Sequence, residues 1–147
     1  MGDQPGAVLF SCSMNAVRSP MAEALLKHLL GHKVYVDSAG VRTSEVDPFA
    51  VEVMDEIGID LSKHKSKTFD DLEDTSYDLI ISLSPEAQHK AVELTRTMAC
   101  EVEFWNTYDP SIAEGSRESR LAAYRQVRDF LKKRIEQRFA LDLKPVV

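Results

Sequence analysis

Twelve residues near the N-terminus constrain this chain most: Leu9-Phe10-Ser11-Cys12-Ser13-Met14-Asn15-Ala16-Val17-Arg18-Ser19-Pro20. An apolar run, Ala7 to Phe10, leads into them, and an amphipathic helical pattern, Met21 to Leu30, leads out. The order is buried strand, tight loop, helix N-terminus, which predicts an α/β fold. A loop so placed aims several backbone N–H groups at one point, and the helix macrodipole adds partial positive charge there. Arg18 brings a fixed charge on a planar donor fork suited to an oxyanion. Cys12 puts sulfur at the same point, where these groups favour the thiolate. The expected result is an anion cradle with a nucleophile at its base. Ser13, Met14, Asn15, Ala16, Val17 and Arg18 would surround a phosphoryl group that Cys12 attacks.

The competing reading is a buried structural cysteine beside an ordinary helix start. That reading needs neither Arg18 nor the residues around it. Pro20 suits the first helical position, where its missing N–H costs nothing. Ser19 suits the N-cap, or its hydroxyl instead reaches the sulfur. Asn15 tolerates the left-handed backbone that such a loop needs.

The remaining elements alternate. Val34–Val36 reads as a second strand, after which Ser38-Ala39-Gly40 turns the chain. Asp47-Pro48 opens a helix through Ile57, stopped by Gly58. Leu79–Leu83 is a third strand, Ser84-Pro85 starts a third helix and Val102–Trp105 is a fourth strand. Ser116–Phe139 is the closing helix, with Leu121, Tyr124, Val127, Leu131 and Ile135 at helical spacing. This pattern predicts a single three-layer domain over residues 1–147. Its core is a four-stranded parallel sheet with helices on both faces, the phosphate-binding loop following the first strand. Such sheets bind ligands at the carboxyl ends of their strands, near a switch in strand order. The loops carrying Cys12 and Asp109 therefore emerge on the same edge.

Composition narrows the function classes. No apolar run reaches the length of a membrane span, and Met1–Gly6 lacks a basic-then-apolar leader. Cys12 and Cys100 are the two cysteines and make no disulfide framework, while a nucleophilic thiol needs reducing surroundings. The expectation is a cytoplasmic protein with no membrane partner. A net charge of −6 argues against nucleic acid. Residues 116–147 nevertheless hold nine Lys+Arg against four Asp+Glu, from Arg117 to Lys144. On a long helix this reads as a solvated face rather than a docking surface. His28 and His32 have i,i+4 spacing, but no carboxylate or cysteine set completes a metal site, and His64 and His89 stand apart. No Gly-rich nucleotide loop is present. No metal and no cofactor are called for.

The chain resembles the low-molecular-weight protein tyrosine phosphatase family, which also contains thiol-coupled arsenate reductases. Beyond the loop, the resemblance rests on Asp37-Ser38-Ala39-Gly40, Glu56-Ile57-Gly58-Ile59-Asp60-Leu61 with His64 after it, Tyr77-Asp78-Leu79-Ile80-Ile81 and Tyr108-Asp109-Pro110. It covers nearly the whole chain. On spacing alone Asp109-Pro110 is a common turn. The resemblance implies instead that Asp109 is the general acid, protonating the leaving oxygen. It also implies that Asn15 and Ser38 hydrogen-bond each other and support the loop. Ser19 would stabilise the Cys12 thiolate, and Tyr108 and Ser111 would border the substrate cleft.

The chain departs from the phosphatases at several places. Met14 stands where they commonly have Gly, and Val17 where they have a second cysteine, so a disulfide cannot protect oxidised Cys12. The Val41–Val46 segment is short and has no aromatic residue, and Ser111-Ile112 replace a usual tyrosine pair. Loss of those ring walls puts phosphotyrosine selectivity in question. The short segment, Phe104-Trp105 and Asp109-Pro110-Ser111 look more like the arsenate reductase branch. That branch uses two further cysteines after the third strand, and Leu83–Ala91 has none. Cys100 lies beyond and reads as buried packing. The expected function is hydrolysis of a phosphomonoester, a phosphotyrosine protein or a small molecule, through a phosphocysteine. The alternatives are arsenate reduction through an external thiol reductant, and a non-catalytic module binding a phosphorylated partner.

Overall fold

The structure is a computed structural model that describes residues 5–72 and 76–139. Its centre is a four-stranded, wholly parallel sheet. Strand β1 (Ala7–Cys12) lies inside it, with β2 (Tyr35–Gly40) on one side and β3 (Leu79–Ser82) on the other. β4 (Glu101–Phe104) pairs outside β3. The chain thus steps one way from β1 and then returns to the other side. That reversal opens a crevice at the carboxyl end of β1, and Cys12 is the last residue of that strand.

Both faces of β1 are covered, so it reads as a continuous apolar run rather than an alternating one. Val8 and Phe10 join a core with helices α1 (Arg18–Leu30), α2 (Pro48–Asp55) and α4 (Arg117–Phe139). Leu9 and Ile80 point to the opposite face, where Ala91 of α3 (Pro85–Leu94), Phe69 and Tyr77 cover them. Trp105 is buried and sets its ring edge against Phe10, with centroids 6.2 Å apart. Leu121, Tyr124, Val127, Leu131 and Ile135 are all buried, as their spacing requires. Among the described residues no helix is long and apolar enough to cross a membrane.

Three local expectations need correction. First, α1 starts at Arg18, with Val17 in the N-cap position and no side-chain cap, so Ser19 is inside the helix and Pro20 is its third residue. The Ser19 hydroxyl is engaged elsewhere, as shown below. Second, Ser38, Ala39 and Gly40 do not turn the chain: they complete β2, opposite Phe10, Ser11 and Cys12. Gly40 sits there because the loop after Cys12 presses on this strand end. A Cβ on Gly40 would lie 2.7 Å from the Asn15 nitrogen and 2.9 Å from the Met14 carbonyl carbon. Third, the basic face of α4 is not simply solvated. Arg125 and Arg128 both bond Glu56, Arg117 bonds Glu52 and Arg138 bonds Glu103. Hydrogen bonds from Arg125 and Arg128 pull the Glu56 carboxyl down to about 2. Ser84 caps α3 by accepting from the Ala87 N–H at 3.2 Å, as its position before Pro85 suggests.

Candidate active site

The loop from Ser13 to Val17 spends its carbonyls on the protein and keeps its N–H groups. Val41 N donates to Cys12 O, Arg42 N to Ser13 O, Asp47 N to Ala16 O and Met21 N to Val17 O, at 2.8–3.1 Å. Among the described residues, no N–H from Ser13 to Arg18 donates to a protein acceptor. Donors this close to a buried loop need a partner, and an anion supplies one. The turn depends on Asn15, whose φ of +54° makes it the one non-glycine at positive φ among the described residues. Cys12 is 2% exposed at the base of the loop.

Asn15 also organises the buried network behind the loop. Its Nδ2 donates to Ser19 Oγ at 2.8 Å and to Ser38 Oγ at 3.0 Å. Its Oδ1 accepts from Lys67 N at 3.0 Å and from His64 Nε2 at 3.1 Å. These partners fix which way the amide points. Because Ser19 Oγ accepts from Asn15, its own proton is free for Cys12 Sγ, 2.9 Å away. The network therefore aims the Ser19 hydroxyl at the sulfur. Ser38 passes its proton the other way, donating to Glu23 Oε1 at 2.5 Å, and Lys27 Nζ holds Glu23 Oε2 at 2.5 Å. Two acceptors face His64 Nε2, the Asn15 side chain and main chain, so this nitrogen carries the proton. Burial pushes the imidazole down from its ordinary value, although nearby Glu23 and the Asn15 carbonyl pull upward.

Arg18 and Asp109 complete the site from two elements. Arg18 is 8% exposed, and its Nη1 donates to Thr107 O at 3.1 Å. This bond ties the guanidinium to the segment after β4. Its Nη2 lies 3.8 Å from Asp109 Oδ2. Asp109 Oδ1 accepts from Ser111 N at 3.0 Å and Ser111 Oγ at 2.7 Å, which leaves Oδ2 turned toward Arg18. A cleft of about 420 Å³ rises above Cys12. Its walls include Met14, Val46, Pro48 and Glu45, with Arg18 and Asp109 at its sides. Among the described residues no aromatic side chain lines it. The geometry holds an oxyanion at Arg18 and the loop, presents sulfur from below and offers a carboxyl from the side. That combination suits in-line transfer of a phosphoryl or arsenate-type group.

The structure brings Cys12, Ser13, Asn15, Arg18, Ser19, Ser38, Asp109 and Ser111 to one place. It separates Tyr108, which is exposed and lines a different hollow with Phe130. It also separates Cys100. That thiol is half-buried just before β4, at the end of the sheet opposite Cys12, and desolvation pushes its pKa up. The expectation of a fully buried Cys100 is corrected to that extent. Sequence reading missed Glu23 and Lys67 and gave His64 no role. A signal for Glu23 was present: it is a carboxylate among Met21, Ala22, Leu25 and Leu26 on a buried helix face.

Comparison with known proteins fits this geometry. Residues 7–144 match the model of the low molecular weight phosphotyrosine protein phosphatase family. The chain belongs to this family. Its members' cysteine-based chemistry places it among enzymes. It is 38% identical over 129 residues to an arsenate reductase of Halalkalibacterium halodurans, covering 88% of this chain and 91% of that one. A solved arsenate reductase in a phosphate-binding state aligns with a TM-score of 0.70 and 32% identity, over 91% of this chain and 96% of the other. A cysteine-to-serine mutant of the YwlE arginine phosphatase, solved with that active-site serine phosphorylated, aligns with a TM-score of 0.74 and 26% identity, over 94% and 99%. The low-molecular-weight phosphatase family is thus reached by both sequence and fold.

Proposed function

We propose that the protein hydrolyses phosphomonoesters through a phosphocysteine at Cys12. The loop N–H groups and Arg18 bind the three non-bridging oxygens. The Cys12 thiolate attacks phosphorus in line, forming the S–P bond as the P–O bond to the leaving group breaks. Protonated Asp109 gives its proton to the departing oxygen. As a carboxylate it then takes a proton from the water that attacks phosphorus, and sulfur leaves as thiolate, accepting the Ser19 hydroxyl proton in a hydrogen bond. The observation that carries this reading is the contact of Ser19 Oγ with Cys12 Sγ, 2.9 Å, beneath loop donors with no protein acceptor. The phosphorylated serine in the aligned arginine phosphatase supports a phosphorylated nucleophile on this fold. The cleft walls, without aromatic rings, suit a phosphorylated protein or small phosphomonoester with little ring selectivity.

A second reading, arsenate reduction, is favoured by the relatives named arsenate reductase. Cys12 would attack arsenic and displace hydroxide. An external thiolate would then attack Cys12 sulfur, forming a mixed disulfide and releasing arsenite with two electrons gained, and a second thiol would restore Cys12. The external thiol is required because Cys100 lies at the far end of the sheet. Parallel assays decide between them: release of phosphate from an aryl phosphate, and arsenite formation with glutathione or a small dithiol protein. Phosphate release that depends on Cys12, with no arsenite formed, supports the hydrolase. Arsenite formation without phosphate release overturns it.

A further inference from the structure

Tyr108 lines a hollow of about 330 Å³ with Asn106, Thr107, Gln126, Val127 and Phe130. The size is at the small end of ligand pockets and holds one large side chain. Phe130 is 41% and Tyr108 54% exposed, so two rings face solvent across it. Isolated exposed apolar residues are ordinary, but two rings lining one groove beside a reactive site are not. The groove and the Cys12 cleft share a wall. Thr107, whose carbonyl holds Arg18, lines the groove, and Asp109, two residues on, lines the cleft. Arg134 follows Phe130 by one helical turn, and its guanidinium lies 5.1 Å over the Trp105 ring. Among the described residues Arg134 makes no ion pair, unlike Arg117, Arg125, Arg128 and Arg138 on the same helix. The side-chain amides of Asn106 and Gln126 also have no hydrogen-bond partner among them, which suits a peptide backbone.

We propose that this groove holds an apolar side chain, bordered by an acidic one, of the phosphorylated protein whose phosphoryl group occupies the Cys12 cradle. The proposal rests on the hydrolase reading. Thr107 of the groove and Asp109 of the cleft are two residues apart, at most about 7 Å of extended chain, so a substrate side chain a few residues from the phosphorylated one reaches the groove. Phe130 and Arg134 are then specificity residues that touch no reacting atom. The cleft itself grips little of a substrate beyond its phosphoryl group, and the groove supplies the missing selectivity.

The test uses three substrates: a small aryl phosphate, a phosphotyrosine peptide with Leu and Glu two to four residues on either side, and the same peptide with Ala there. Wild type should favour the Leu/Glu peptide over the Ala peptide by roughly tenfold in kcat/KM. Phe130→Ala should erase that preference, and Arg134→Ala should remove the part due to Glu. Both variants should hydrolyse the aryl phosphate within about twofold of wild type, since neither residue meets the reacting group. Equal rates for the two peptides, or a preference that survives Phe130→Ala, overturn the proposal. An equal loss on all three substrates also overturns it, since it assigns Phe130 to the fold. If the aryl phosphate is not hydrolysed at all, the hydrolase reading fails. The groove is then judged by fluorescence anisotropy of the same peptides on Cys12→Ser with and without Phe130→Ala. Loss of Leu/Glu peptide affinity on truncation upholds it, and equal affinity overturns it. A Phe130→Ala defect confined to arsenate turnover with a protein dithiol, absent with glutathione, assigns the groove to a reductant and overturns it as well.

Discussion

Gly40→Ala tests whether the backbone contact between β2 and the loop sets the shape of the cradle. Gly40 has no positive φ, so alanine fits its backbone without strain. Alone, the change would stabilise by about 0.4–1 kcal/mol through the unfolded chain. The new methyl, however, lies 2.7 Å from Asn15 N, 2.9 Å from Met14 C and 2.5 Å from Arg42 O, all backbone atoms. Those distances are roughly 0.7 Å or more inside ordinary van der Waals contact. A rotamer cannot relieve them, so the loop itself must move. Overpacking costs about 1–3 kcal/mol, which outweighs the gain. The net loss is about 1 kcal/mol, or a Tm lower by roughly 2–4 °C. Displacing the Asn15 nitrogen by most of an ångström should reduce kcat for an aryl phosphate by about 10–100-fold. Gly58→Ala is the control. Gly58 has φ +79° and no atom within 4 Å of an added Cβ, so alanine there costs about 1–2 kcal/mol of strain far from the loop. The assay is a thermal melt and steady-state kinetics on both variants. Equal stability losses with activity lost only in Gly40→Ala are expected. Wild-type kcat in Gly40→Ala, or matching activity losses in the two variants, refutes the reasoning.

Asp109→Asn should slow aryl phosphates with poor leaving groups by roughly two to four orders of magnitude and good ones far less. A uniform loss across leaving groups would remove Asp109 from proton transfer. Cys100→Ala should leave both phosphate and arsenate turnover near wild type, and loss of arsenite formation in a folded variant would show a relay through Cys100. Burial lowers the His64 pKa, so the unfolded chain binds this proton at a higher pH than the folded one. The His64 contribution is therefore intact above about pH 6.5 and is lost as pH falls toward the folded value. His64→Gln should flatten that part of the Tm profile between about pH 5 and 7, and an unchanged slope would contradict it.

The parts of the site carried by local sequence were legible. Strand, loop, Arg18 and helix follow one another without a gap, so periodicity and charge found them together. Asp109 was not legible alone, because an Asp-Pro pair also makes a turn. Its approach to Arg18 needs the parallel sheet that sends the loops after β1 and β4 to one edge. Ser38-Ala39-Gly40 misled because small residues signal turns. Here Gly40 is small because a neighbouring loop leaves no room for a Cβ, and Ser38 is polar because its hydroxyl bridges Asn15 and Glu23, both tertiary demands. Ser19 offered two readings, helix cap or partner of the sulfur, and its hydroxyl takes the second. Glu23 and His64 converge on Asn15 and Ser38 from positions 23 and 64. No local pattern announces such a network, although a carboxylate on a buried face asks for partners.

Rapid-quench trapping of the enzyme during turnover of an aryl phosphate, followed by peptide mass spectrometry, shows whether Cys12 carries the phosphoryl group. With a good leaving group, whose departure needs no proton, Asp109→Ala should slow breakdown of the intermediate more than its formation and so raise the yield. A phosphoryl adduct is expected on the peptide containing Cys12, formed in a burst with the first equivalent of alcohol and absent in Cys12→Ala. Sustained phosphate release with no adduct on Cys12, or with the adduct on another residue, would contradict it.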